Sequence, residues 1–250
     1  MDLLPDFSHS QWAILMICAF FVGVSKTGIP GISIINVPLL AMIFVAKGST
    51  GLLLPLLAAA DLVAVAWYRR HAQWKHVFRL LPWALLGIGA GSVVIRYISD
   101  AQMKPIIGLI VLAMLALNFY REKNPDKMAH LPHHWAFAAF MGFFGGLTTQ
   151  MANAAGPVMA IYLLSMNLPK NEYMGTCAWF FLILNYLKIP VFIMEGRISM
   201  ESFMADLVVI PIVIAGAFIG IFILKKVPQK WFRRIVEILA VLAAVKLLIP

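Results

Sequence analysis

Lys26, Asp61 and Lys188 lie within apolar stretches of this 250-residue sequence, where an isolated charge is costly. Lys26 belongs to 25-SKTGIPG-31, Asp61 to 58-AAADLVAVAW-67 and Lys188 to 185-NYLKIPVF-192. A lysine in such a place coordinates an anion or pairs with an acid, and a carboxylate carries a proton or neutralises a lysine. The sequence therefore predicts a polar site inside an otherwise apolar protein.

Each of these charged residues also has a purely structural explanation. Lys26 can extend to the membrane surface as an anchor instead of contacting or gating a ligand. Lys188 can pair with Asp61 or Glu195 instead of an anion, and Asp61, our candidate for proton coupling, can be the partner of a lysine or a helix terminus. Asn185 lies about one helical turn from Lys188 and can bond a neighbouring helix or a substrate.

The composition is that of a membrane protein, with 62% hydrophobic and only 12% charged residues. Apolar runs of nearly membrane length recur along the chain, which predicts an all-α polytopic membrane protein of about eight to ten helical segments in a lipid bilayer. The second and seventh segments are short for a full span. We predict the segments near 11–26, 32–46, 50–68, 80–98, 102–120, 134–150, 154–166, 172–194, 203–224 and 231–249.

Basic residues are distributed unevenly between alternate connections. Thirteen of the 20 Lys and Arg residues lie in 69–79, 121–134, 167–171 and 225–234, against five on the opposite side. The positive-inside rule places the first group in the cytoplasm and both termini in the periplasm. The net charge of +9 thus reflects cytoplasmic loops, and no nucleic-acid partner is predicted.

The two halves of the chain share a pattern of glycines and prolines, which favours a duplication over coincidence. We predict a first repeat over 1–120, a cytoplasmic linker over 121–133 and an inverted second repeat over 134–250, together one membrane domain. The matches at an offset of 119 are Phe21/Phe140, Gly23/Gly142, Pro38/Pro157 and Ala41/Ala160, and those at an offset of 129 are Pro82/Pro211, Gly87/Gly216 and Gly91/Gly220.

Each repeat begins with a broken-helix hairpin, and we predict that the two breaks face a common cavity. Lipid does not tolerate irregular backbone, because its unsatisfied N–H and C=O groups cost several kcal/mol each. A new helix starts after each break, and helix N-termini and glycines favour the close approach of an anion. The candidate substrate-binding residues of the breaks are Ser25, Lys26, Thr27, Gly28, Gly31, Ser33, Gly145, Gly146, Thr148, Thr149, Gln150 and Asn153.

The chain resembles the TauE/SafE sulfite exporter family, also grouped with toluenesulfonate-uptake permeases. The resemblance rests on the broken first helix of each half, as in 142-GFFGGLTTQMANAAGPVMAIYLL-164, and on 185-NYLKIPVFIMEGRIS-199 with its counterpart 61-DLVAVAWYRRHAQW-74. It implies transport of small organosulfur anions, such as sulfite, sulfoacetate or arylsulfonates, across a bacterial inner membrane. It also implies site roles for Asn185, Lys188 and the glycines Gly28, Gly31, Gly142, Gly145, Gly146 and Gly156.

The sequence therefore predicts a secondary transporter that works by alternating access, with an anion channel or a membrane scaffold as alternatives. A membrane-embedded enzyme is remote, because the adjacent Ser25 and Lys26 point apart on a helix. No enzymatic activity, cofactor or metal is predicted. A co-transported proton or sodium ion, and a monomeric or homodimeric state, are both compatible with the sequence.

Overall fold

The computed structural model describes residues 5–28, 32–124, 127, 134–222, 238, 241–242 and 244–248, which form an all-α structure as predicted. A 3₁₀ turn, Ile32–Ile35, precedes the second helix, and another, Arg69–His71, follows the third. The α-helices in this part of the chain are α1 (His9–Thr27), α2 (Asn36–Ile43), α3 (Ala46–Tyr68), α4 (Trp74–Tyr97), α5 (Asp100–Lys123), α6 (Trp135–Ala152), α7 (Gly156–Ser165), α8 (Lys170–Met194) and α9 (Met200–Phe222).

Six of the described helical segments are long and apolar enough to cross a membrane, so the chain is a multi-pass membrane protein. By contrast, α2 and α7 extend only about 12 and 15 Å at the α-helical rise, against a hydrocarbon core of about 30 Å. The prediction that these two segments are short is confirmed. The candidate spans are His9–Thr27, Ala46–His71, Trp74–Tyr97, Asp100–Tyr120, Lys170–Met194 and Met200–Phe222.

Both helix breaks lie where the sequence predicts them, and local chemistry explains each one. α1 ends at Gly28. α6 ends at Asn153, whose backbone is left-handed with φ 51°, a conformation that asparagine tolerates better than most residues. Pro157 then occupies the first turn of α7, where its missing N–H is not needed. Each break thus lies between a long helix and a short one.

Some predicted boundaries are wrong or fall outside the described residues. α4 begins at Trp74 rather than at 80, because its first turns alternate basic with apolar residues and a search for apolar runs misses them. Most of the linker, the basic connection 225–234 and the start of the predicted last helix lie outside the part of the chain that the structure describes. The described residues 241–242 and 244–248 are helical.

The long helices pack across the predicted repeat boundary. α1 packs along α9, α6 along α4, and α3 against α8. Glycines allow the backbones to approach: Gly216 lies against the carbonyl of Phe20, and Gly87 against Phe143 and Leu147. The first helix of each half therefore contacts the other half. The division into two inverted repeats stays a prediction, which this exchanged packing supports.

The contact of α4 with α6 leads to a stability prediction. A Cβ at Gly87 would overlap the carbonyl oxygen of Phe143 in the neighbouring backbone. We expect Gly87→Ala to destabilise the protein by about 1–3 kcal/mol, because overpacking forces the helices apart. Gly89→Ala is the matched control on the same helix, since no atom lies within 4 Å of its added Cβ. Thermal unfolding of both variants in detergent measures the difference, and equal melting temperatures would contradict the close contact.

Candidate functional site

A cavity lies where the two helix breaks meet α3 and α8. It contains about 660 Å³ of atom-free space, part of which is open to solvent. Both breaks contribute polar residues to its wall, and α8 contributes most of the apolar ones. The lining residues are Ser25, Lys26, Ser33, Leu57, Asp61, Thr149, Asn153, Gly156, Tyr173, Met174, Cys177, Ala178, Phe181 and Asn185.

Lys26 and Asp61 form an ion pair at the edge of this cavity. The Lys26 ammonium lies 2.7 Å from Oδ1 of Asp61, and only 13% of the lysine side chain and none of the aspartate is exposed. The amide of Asn185 donates a hydrogen bond of 2.6 Å to the other carboxylate oxygen. Lys26 also lies over the Phe181 ring, 4.4 Å from its centre. Lys26 is therefore directed inward, and the alternative of an anchor at the membrane surface is wrong.

Lys188 is fully buried and bonds the second break. Its ammonium donates to the carbonyl and hydroxyl oxygens of Thr149, at 3.0 and 2.9 Å, and to Oδ1 of Asn153 at 2.7 Å. Neither Asp61 nor Glu195 forms a described ion pair with it, so both of the predicted acidic partners are wrong. Lys188 instead fixes the end of α6, and does so from behind the residues that line the cavity.

A second buried network lies beside Lys188, and the sequence did not identify it. The Arg197 guanidinium contacts the Thr50 hydroxyl, donates to the Gln150 carbonyl at 3.0 Å and pairs with Glu195 at 3.1 Å. The Gln150 amide donates to Glu195 and to Ser92. Burial lowers the pKa of Arg197 to about 10, so it remains charged at neutral pH. This network joins α3, α6 and the connection between α8 and α9.

The structure brings about half of the predicted site residues into the cavity. Lys188 lies outside the cavity and contacts two residues that line it, Thr149 and Asn153. Gly31 lies outside the described residues, so its position is not assigned. The predicted residues that line the cavity are Ser25, Lys26, Ser33, Thr149, Asn153 and Asn185, together with Asp61 and with Gly156, to which the resemblance gave a site role.

The other predicted residues in the described part of the chain do not line the cavity, and most of them lie at helix contacts. Thr27 donates to the carbonyl of Ala217, and Gly28 packs against Gly220, so both hold α1 to α9. Gly146 lies against the backbone of Ala84 on α4. Thr148 donates to the carbonyl of Phe144, Gly145 lies near Val158, and Gln150 bonds Ser92 and Glu195. These residues were predicted from their proximity in the sequence, whereas helix periodicity directs neighbouring side chains to different faces.

Several lining residues were not predicted because they are apolar or common. Tyr173, Met174, Cys177 and Phe181 recur on α8 at spacings of one to four residues, which is the pattern of a single helix face. The same helix face continues to Asn185 and Lys188. This continuity was the sequence signal that could have identified the apolar lining residues of α8. Cys177 lines the cavity as a free thiol.

The described residues that line the cavity include one lysine and one carboxylate. Lys26 and Asp61 neutralise one another as an ion pair, while Lys188 lies outside the cavity against Thr149 and Asn153. Among the described residues, no cluster of three or more potential metal ligands occurs. The cavity wall offers an anion one ammonium group together with hydroxyl and amide donors.

Membrane-spanning apolar helices around a polar cavity are typical of the membrane transporter class. The family model described as "Sulfite exporter TauE/SafE" matches residues 15–247, nearly the whole chain. The chain belongs to the TauE/SafE sulfite exporter family. No curated protein and no solved structure shows a significant match to it.

Proposed function

We propose that this protein is a secondary transporter that moves small organosulfur anions, of the sulfite, sulfoacetate or sulfonate class, across the inner membrane. One observation carries the proposal: the two helix breaks and α8 enclose a cavity whose described lining holds one cation, Lys26, among neutral hydrogen-bond donors, with Asp61 as its one described carboxylate. An ammonium group inside a membrane protein is a candidate for ligand contact, because a charge is costly to place there. Family membership supports a sulfur oxyanion as that ligand.

The cavity wall supports an anion with a charged head and a small organic group. We assign the head to Lys26 and to the hydroxyls of Ser25 and Ser33, since ammonium and hydroxyl donors match sulfonate oxygens. Phe181 and Met174 face the organic part of the substrate. Thr149, Asn153, Asn185 and Lys188 position the opposite wall. The remaining predicted ligands, which lie at helix contacts, are assigned to packing.

The mechanism that we propose is alternating access between the two halves of the chain. Tyr173 and Met174, near the start of α8, line the cavity and lie next to the connection 167–171, which the charge pattern assigns to the cytoplasm. The Arg197 network lies at the other end of α8, where it ties α3 to α6. These placements support a cavity that opens towards the cytoplasm and is closed towards the periplasm. Motion of one half against the other would close the cavity towards the cytoplasm and open it towards the periplasm.

The proposed orientation has both termini in the periplasm of a bacterial cell. The uneven distribution of Lys and Arg between alternate connections supports this orientation. A cysteine-accessibility experiment can test it, because a single cysteine introduced in the first residues and one introduced in 69–79 should be labelled from opposite sides of the membrane.

A thermal-shift experiment tests the substrate class. We expect sulfite, thiosulfate, sulfoacetate, isethionate or toluenesulfonate to raise the melting temperature of the detergent-purified protein, because a ligand that binds only the folded state stabilises it by about 2.7 kcal/mol at 100 times its dissociation constant. Acetate and benzoate are the carboxylate controls. If no sulfur anion raises the melting temperature at millimolar concentration, the proposed substrate class is wrong.

Transport by purified protein in liposomes separates a carrier from the alternatives. A carrier should show saturable uptake that is accelerated by unlabelled substrate on the opposite side of the membrane. A channel should conduct the anion without such acceleration. A scaffold should transport nothing.

A further inference from the structure

We propose that the Lys26–Asp61 ion pair couples each transported anion to one proton, because the anion and the Asp61 carboxylate compete for the same lysine. This inference rests on the proposed function as an anion carrier and concerns how that carrier is coupled to a gradient. It explains why a carboxylate lies at a site that must attract an anion.

The geometry makes Lys26 the shared partner. Its side chain is partly exposed to the cavity, whereas that of Asp61 is fully buried and lies 2.7 Å from the ammonium. An anion that enters the cavity can therefore reach Lys26 at its exposed surface. Lys188 is less available, because Thr149 and Asn153 already accept its hydrogen bonds.

Few other groups can compensate the charge of Asp61 once Lys26 turns to a substrate. The titratable groups that interact with Asp61 are Lys26 on α1 and Lys188, Cys177 and Tyr186 on α8. The described residues of α2, α5 and α9 contribute no charged group to this interaction. Asn185 offers one neutral hydrogen bond. A carboxylate that loses its ion-pair partner in this setting is strongly disfavoured, and binding a proton removes its charge.

The charges balance for a one-to-one exchange of partners. In the empty site the Lys26 ammonium neutralises the Asp61 carboxylate. In the loaded site it neutralises a sulfonate monoanion, and Asp61 has taken a proton from water in the cavity. The net charge of the site is the same in both states, so movement across the membrane adds no buried charge. On release, the anion leaves Lys26 and the proton leaves Asp61 on the same side.

The first test is the pH dependence of anion binding by the intact protein in detergent. Toluenesulfonate and isethionate serve as probes, because sulfonates hold no proton near neutral pH. We expect their affinity for the wild type to fall by up to about tenfold for each unit of increasing pH, the limit for one linked proton. Asp61→Asn mimics the protonated carboxyl, so it should bind more tightly than the wild type at high pH and lose the pH dependence.

Asp206→Asn is the matched control. Asp206 is also fully buried on a membrane helix, and its carboxylate has no partner among the described residues. The anion affinity of Asp206→Asn should depend on pH in the same way as that of the wild type. Loss of the dependence in Asp206→Asn but not in Asp61→Asn would overturn the assignment to Asp61.

Proton movement in liposomes completes the test. An inward gradient of isethionate should acidify the lumen of wild-type vesicles containing a trapped pH dye, with equal rates in sodium and choline buffers. Asp61→Asn vesicles should show no acidification above that of protein-free vesicles. Isethionate uptake without proton movement, or uptake that requires sodium, would overturn the coupling and leave the anion carrier intact. Failure of wild-type protein to bind any sulfur anion would instead overturn the proposed function.

Discussion

Lys26→Ala is expected to lower the free energy of unfolding by about 3–5 kcal/mol, the range found when one partner of a buried ion pair is removed. The reason is that Asp61 is fully buried and would keep only the hydrogen bond from Asn185. The same variant should lose anion binding, since Lys26 is the one cation among the described lining residues of the cavity. Denaturant unfolding in mild detergent measures the first effect, and the thermal shift with toluenesulfonate measures the second.

The double variant Lys26→Met/Asp61→Leu separates these two effects. Replacement of both charges by apolar groups of similar size is often neutral for stability. We therefore expect the double variant to recover most of the lost stability and still fail to bind the anion. A Lys26→Ala protein as stable as the wild type would show that the ion pair is not formed. A double variant that still binds the anion would remove Lys26 from the site.

Lys188→Met is expected to have the second large effect. Methionine fills much of the same space but leaves the Thr149 hydroxyl oxygen and Oδ1 of Asn153 without this donor, and each unsatisfied buried group costs about 1–3 kcal/mol. Because these acceptors lie at the end of α6, the second break should lose its fixed geometry. We expect at least about a tenfold loss of toluenesulfonate affinity, equivalent to about 1.4 kcal/mol, together with a lower melting temperature.

Lys47→Met is the control for the loss of a lysine that bonds backbone. The Lys47 ammonium donates to the carbonyl of Ile95 at 3.0 Å, but the residue lies at the start of α3, away from the cavity. The Lys47→Met substitution should leave the affinity for toluenesulfonate unchanged. If Lys188→Met binds the anion as well as this control does, the second break does not depend on Lys188 for its binding geometry.

The sequence by itself determined the class of fold and the positions of the two breaks. Apolar runs of membrane length leave few alternatives to transmembrane helices, since lipid forces the backbone to satisfy its own hydrogen bonds. Gly28, Asn153 and Pro157 end or begin helices by local backbone preferences. These signals depend on near neighbours in the chain, so they can be read without a structure. The start of α4 was missed because its basic residues interrupt the apolar run.

The tertiary structure decided which of the polar residues meet and which partner each of them takes. Lys26 pairs with Asp61 and not with a headgroup, Lys188 bonds Thr149 and Asn153 and not an acid, and Arg197 forms a network that no local pattern indicated. Thr27 and Gly28 belong to the contact with α9, although they adjoin two residues that line the cavity. These outcomes depend on the rotation of each helix about its axis and on which helices pack together. Glycines that are far apart in the sequence meet between α1 and α9, and glycine contacts also join α4 to α6. These contacts determine the helix rotations and the packing partners, because helices approach closely only where both surfaces are small.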